Sequence, residues 1–118
     1  MQCTGSDIDG YNGGATTTIT VQAGATVENV FDPTINLGNN ANVTVSGTVT
    51  NNGGGEGIFI SGGTLANTIT INNGGSVSSG SGLPALEISS VGGNSANTIT
   101  VGGGFTTTGS VLFQGNTN

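Results

Sequence analysis

At 118 residues the chain fits one small domain with little capacity for a wide hydrophobic interior, and 24 Gly, 19 Thr, 15 Asn and 11 Ser leave only 4% aromatic residues to fill one. Lys, Arg and His are absent, and Asp7, Asp9, Glu28, Asp32, Glu56 and Glu87 set the formal charge at −6. That balance argues against nucleic acid and anionic membrane surfaces as partners, since both are held largely through cationic side chains, and no apolar run approaches the ~20 residues of a membrane-spanning helix.

Residues 1–14 show no strand pattern and are expected to form a lead-in or N-terminal cap before a solenoid over 15–118. The start, Met1-Gln2-Cys3, lacks the basic and apolar regions of a signal peptide, so the chain reads as a mature or excised segment of a longer solenoid. Cys3 is the single cysteine. It excludes an internal disulfide and leaves two readings, an unpaired thiol or an intermolecular bridge.

From residue 16 four units follow one another. Their first strands are Thr16-Thr17-Thr18-Ile19-Thr20-Val21, Asn40-Ala41-Asn42-Val43-Thr44-Val45, Ala66-Asn67-Thr68-Ile69-Thr70-Ile71 and Ala96-Asn97-Thr98-Ile99-Thr100-Val101. The anchors Ile19, Val43, Ile69 and Ile99 are spaced by 24, 26 and 30 residues, a range that marks solenoids, propellers and arrays. After a Gly-containing corner come second strands at Ala25-Thr26-Val27, Gly47-Thr48-Val49, Ser76-Val77-Ser78 and Phe105-Thr106-Thr107. Third strands close the units at Thr34-Ile35-Asn36-Leu37, Ile58-Phe59-Ile60, Leu86-Glu87-Ile88 and Val111-Leu112-Phe113. The insertion Ser79-Gly80-Ser81-Gly82-Leu83-Pro84 accounts for the longest period.

Apolar and polar residues alternate along each strand, which sends Ile19 and Val21 to one face and Thr18 and Thr20 to the other. One unit cannot hide its apolar face alone. Stacked units pair backbone to backbone and align like residues into ladders. Helix is disfavoured, because Gly and Asn recur every few residues and Gly costs about 1 kcal/mol per helical site relative to Ala. The predicted fold is all-β: a right-handed single-stranded parallel β-helix (β-solenoid) of about four rungs of three short strands. Ile19, Val21, Val43, Val45, Ile69, Ile71, Ile99 and Val101 are expected to face inward.

The stretch Cys3-Thr4-Gly5-Ser6-Asp7-Ile8-Asp9-Gly10, followed by Thr18-Ile19-Thr20-Val21-Gln22-Ala23-Gly24-Ala25-Thr26-Val27, resembles the N-terminal β-helix region of bacterial autotransporter passengers, which are pectin-lyase-like β-solenoid adhesins. Ala96-Asn97-Thr98-Ile99-Thr100-Val101-Gly102-Gly103-Gly104 is similar to the recurrent rung of that family. The likeness covers most of the chain, but the translocator barrel of the full family is missing. It implies secretion or display at the bacterial cell surface, with adhesion or biofilm formation as the role. Similar Thr/Asn/Gly repeats occur in filamentous haemagglutinin-like adhesins and phage fibres.

No catalytic residue is expected. Lyase chemistry on uronates would need a basic residue that this chain lacks. Hydrolysis would need two carboxylates about 5–9.5 Å apart, and the strand pleat is expected to send Glu56 and Glu87 to opposite faces. No cofactor is expected either, with calcium as the one candidate. Asp7, Asp9 and Asn12 in Asp7-Ile8-Asp9-Gly10-Tyr11-Asn12 offer hard oxygen donors at alternate positions, as a Ca²⁺ loop does. The twelfth position is Thr18 and not an acid, and an Asx-rich turn explains the same residues.

Two further features point to partners. Thr18, Thr20, Thr44, Thr68, Thr70, Thr98 and Thr100 are expected to form a two-column ladder of hydroxyls and methyls, broken at Asn42. Such a face resembles the ice-binding surface of solenoid antifreeze proteins and offers a site for a surface glycan or protein, while Thr is also an ordinary outward residue of a strand. At the far end, Val111, Leu112 and Phe113 are expected to form an open edge, since unpaired strand N–H and C=O groups template further pairing. Self-association through that edge follows.

Overall fold

The computed structural model describes residues 1–62, 66–80, 82–89, 96–103 and 106–114, with the backbone alone for 106–108 and 112–114. Its strands are β1 (Gln2–Cys3), β2 (Ser6–Asp7), β3 (Tyr11–Asn12), β4 (Thr18–Val21), β5 (Thr26–Asn29), β6 (Ile35–Leu37), β7 (Asn42–Val45), β8 (Thr48–Asn51), β9 (Ile58–Ser61), β10 (Thr68–Ile71), β11 (Ser76–Ser78), β12 (Leu86–Ser89), β13 (Thr98–Val101), β14 (Thr106–Thr108) and β15 (Val111–Gln114). They form three parallel sheets: sheet A, β1-β4-β7-β10-β13; sheet B, β2-β5-β8-β11-β14; and sheet C, β3-β6-β9-β12-β15. Each strand pairs with its counterpart one coil away, so the chain is a β-solenoid, as its repeat predicts. The four predicted rungs are β4–β6, β7–β9, β10–β12 and β13–β15. The lead-in, residues 1–14, carries the two-residue strands β1, β2 and β3, laid in register on β4, β5 and β6.

Register turns the alternating pattern into interior columns. On sheet A, Ile19 stacks on Val43, Ile69 and Ile99, while Cys3 stacks on Val21, Val45, Ile71 and Val101. Sheet B contributes Val27, Val49 and Val77. Sheet C contributes Ile35, Ile58 and Leu86 in one column and Leu37, Ile60 and Ile88 in another. All of these except Ile99 and Val101 are buried, and Ala25, Ala41 and Ala85 fill the corners. β-branched side chains dominate because their restricted rotamers suit a pleated surface packed on both neighbours.

Two expectations need correction. Ile99 is only partly buried and Val101 is 49% exposed, because among the described residues β13 has a neighbour on one side only. In the fourth rung Thr107, not Phe105, lies opposite Val77. Phe105 itself falls outside the described residues. Of the two readings of Cys3, unpaired thiol or intermolecular bridge, neither is overturned: the free thiol is buried, its Sγ 3.5 Å from the Gly5 carbonyl oxygen. An intermolecular bridge would therefore require β1 to leave β4.

The uneven offsets between first and second strands have a local cause. The turns joining β4 to β5 and β10 to β11 take four residues each, closed by Ala25 N–H donating to the Gln22 carbonyl (3.0 Å) and Gly75 N–H to the Asn72 carbonyl (2.9 Å). Gly24 and Gly74 occupy their third positions at φ of 81° and 79°, the arrangement of a type II turn that glycine alone adopts without strain. β7 reaches β8 through Ser46 and Gly47 alone, which explains the shorter offset from Val43 to Val49.

Three interior polar side chains fasten coil to coil. Asn67, 5% exposed, accepts the Ala41 N–H (2.9 Å) and donates to Asn97 Oδ1 (2.8 Å). Asn51 donates to the Asp32 carbonyl (2.7 Å) and accepts from the Gly53 and Gly55 N–H groups (3.0 Å each). Thr34 Oγ1 donates to the Thr50 carbonyl at 2.9 Å. No buried side-chain polar atom among the described residues lacks a partner.

This packing predicts a graded response at two positions. Ile69→Asp places an unpaired carboxylate in a dry column and is expected to cost more than about 4 kcal/mol, removing the cooperative thermal transition, while Ile69→Val costs about 1 kcal/mol. Asn67→Ala strips the buried Ala41 N–H of its acceptor and costs about 1–3 kcal/mol. Thermal melts followed by circular dichroism check all three, and an Ile69→Asp protein that melts with the parent contradicts the stacking.

Candidate functional site

Register places the outward threonines of sheet A in two columns. One runs Gln2, Thr20, Thr44, Thr70, Thr100 and contains four consecutive threonines. The other runs Thr18, Asn42, Thr68, Thr98, interrupted at Asn42 as the sequence predicts. Thr18, Thr68, Thr98 and Thr100 are exposed, and Thr20, Thr44 and Thr70 are half-buried between their neighbours. Adjacent coils in such a stack lie about 4.8 Å apart, so hydroxyls and methyls repeat at that interval along each column.

The acids lie elsewhere. Asp7 and Glu28 are on sheet B, Glu87 is on sheet C, and Asp9, Asp32 and Glu56 occupy connections from sheet B to sheet C. The chain therefore has an amide-and-hydroxyl face without charged side chains on sheet A, where the Met1 ammonium donates to the Thr18 carbonyl (2.6 Å), and an acidic side along the B–C corner. This segregation was not anticipated from the residues one by one. Its signal was available in the position each acid holds within its repeat.

The calcium candidates are divided by the fold. Asp7 Oδ1 accepts the Asp9 N–H at 3.1 Å, closing the Asx turn that was the alternative reading. Asp9 and Asn12 line a cleft of about 230 Å³ with Asp32, Asn29, Asn36 and Tyr11, and Asp7 is not part of it. The described residues hold no group of three or more His, Cys, Asp or Glu side chains suited to a metal ion.

Glu56 and Glu87 correct the pleat argument. Glu56 precedes β9 and belongs to a connection, so strand alternation does not govern where its side chain points. Glu87 lies on β12 opposite Phe59. Partial burial pushes the Glu87 carboxyl above its ordinary value of 4.5, and the nearby Glu56 charge pushes the same way. The two acids thus share one neighbourhood.

At the predicted association edge, β13, β14 and β15 are the outermost strands of their sheets. Val101 and Val111 are 49% and 44% exposed there. Leu112 and Phe113 take their places in β15, opposite Glu87 and Ile88, and their side chains lie outside the described residues.

No family model, curated protein or solved structure matches the chain. The likeness to autotransporter passengers rests on the quoted residues alone.

A folded-state pKa raised above the unfolded value means that ionising Glu87 opposes folding. Its contribution to stability is fully present below about pH 4.5 and is lost as pH rises through the raised value. Glu87→Gln is expected to remove that part of the pH dependence and to leave the protein more stable than the parent at neutral pH. Denaturant midpoints of both proteins measured from pH 4 to pH 7 check this; parallel curves would contradict it.

Proposed function

We propose that the chain is a non-enzymatic structural segment of a secreted or cell-surface protein of autotransporter type, serving as a stalk or adhesin. One observation carries the reading: the described chain is spent almost wholly on the repeat. Its strands belong to three stacked sheets, and its buried polar groups are used to join one coil to the next. Such a solenoid gains length and surface by adding units, each contacting only its neighbours. The resemblance of the Thr18–Val27 and Ala96–Gly104 stretches to autotransporter rungs supports surface display, and the lack of basic residues leaves no lyase base.

A second reading, a binding face for ice or glycan, is favoured by the unbroken column Thr20, Thr44, Thr70, Thr100 and by the lack of charged side chains on the strands of sheet A. A third element of the proposal is self-association into a fibre, through the strand edges at β13–β15. Backbone groups at such an edge pair with another chain unless covered.

Ice-recrystallisation and glycan-array assays on the parent, with Thr68→Lys and Thr98→Lys as controls, separate the first two readings. The stalk reading is expected to yield silence in both assays; activity that disappears in the two variants would replace it with the binding face. For association, light scattering is expected to show the parent growing in size with concentration and Val111→Lys remaining smaller. A parent that stays monomeric over a hundredfold concentration range removes the edge contact.

A further inference from the structure

We propose that the cleft at the B–C corner of the first two coils binds a neutral saccharide, about one sugar ring at a time. The site deepens the adhesin reading and rests on it for its use at a surface, while the binding itself is measurable on the isolated chain.

The cleft is built by the fold. Asp9 comes from the turn between β2 and β3, Tyr11 from β3, and Asn29 and Asp32 from the end of β5 and the turn after it. Asn12 and Asn36 are register partners on the outer face of sheet C. The two turns are locked together. Tyr11 N–H donates to the Thr34 carbonyl at 2.8 Å, and Gly10 (φ 68°) passes so close that a Cβ there would lie 2.6 Å from the same oxygen. Asn51, from the next coil, holds the Asp32 carbonyl, and Asn29 Oδ1 accepts the Val30 N–H at 2.7 Å. The walls are therefore ordered before any ligand arrives, which lowers the entropic cost of binding.

The chemistry of the lining selects the ligand. Two carboxylates accept hydrogen bonds only, whereas side-chain amides both donate and accept. A sugar hydroxyl also does both, so neighbouring hydroxyls can donate to Asp9 or Asp32 while accepting from Asn12 or Asn36. Anionic ligands meet two carboxylates with no Lys, Arg or His side chain in the sequence to offset them. Tyr11 is the register partner of Ile35 and packs against the apolar core, so recognition in the cleft rests on its carboxylates and amides. The volume of about 230 Å³ lies below the range of drug-sized pockets, which limits the occupant to about one ring.

The test is an amide-resolved NMR titration of the whole chain with methyl glycosides of neutral hexoses and N-acetylhexosamines, run with EDTA and again with calcium chloride. Saturable shifts confined to residues 9–12 and 29–36, with a millimolar dissociation constant, are expected for at least one glycoside in EDTA. Asp32→Asn and Asn36→Ala are each expected to weaken binding about tenfold without changing the thermal midpoint, and Thr70→Lys is expected to leave it intact. Shifts that appear with calcium alone and with no glycoside would overturn the proposal in favour of a cation site. Shifts that map to the threonine columns would move the saccharide to sheet A, overturning the cleft and sparing the adhesin reading. Absence of saturable shifts with every glycoside would overturn the cleft and leave the stalk reading standing.

Discussion

Everything in this molecule depends on one constraint: a strand can find its backbone partners only in the coils above and below it. Within a coil the three strands face different directions and share no ladder. The apolar columns, the corner turns and the outer faces all follow from holding successive coils in register. A shift of one residue would turn every isoleucine and valine of a strand outward. Register is consequently held from several sides, by the aliphatic columns and by buried amides such as Asn67, whose oxygen meets the Ala41 N–H and whose nitrogen meets Asn97.

How far this was legible in the sequence depended on which forces act locally. The Thr-Ile-Thr-Val strands of sheet A announced themselves, because period-two alternation and a spacing of 24–30 residues are both written in residue order. The fourth rung was misread at its second strand because Phe105 looked like the better anchor. Four residues separate β13 from β14, as they do β10 from β11, and Thr107 pairs opposite Val77. Burial of Ile99 and Val101 was overestimated for a related reason: alternation reports where a side chain points, whereas burial also requires a neighbouring coil. The amide roles of Asn51 and Asn67 were invisible to hydropathy, although Asn97 repeats the position of Asn67 and Ala41 precedes both in the same column.

The candidate sites divided along the same line. The threonine columns needed only parity and register, and both were readable. The cleft draws on two coils and on connections that have no period, so Asp9 and Asn12 could be singled out while Asp32, Asn29 and Asn36 could not. Glu56 shows the limit most plainly. Strand geometry was applied to a residue that sits in a connection, and its charge is instead felt by Glu87. What unites these misses is that connections are governed by specific hydrogen bonds and close approaches, not by alternation.

The regular separation of paired strands also bears on how the chain reaches this state. Paired residues sit roughly one coil apart in sequence, so each added coil closes a loop of similar size and incurs a similar entropic cost. Long-range closure across the entire chain is never required. Once two coils have docked, later ones can zip onto the exposed ladder in chain order, much as a one-dimensional array propagates from its first stable pair. Loss of structure runs in reverse and starts where a coil has a neighbour on one side only, as β13 does. Resistance to opening should thus form a gradient along the axis, deepest around β7 and β10, and a chain synthesised or exported from one end could fold as it emerges.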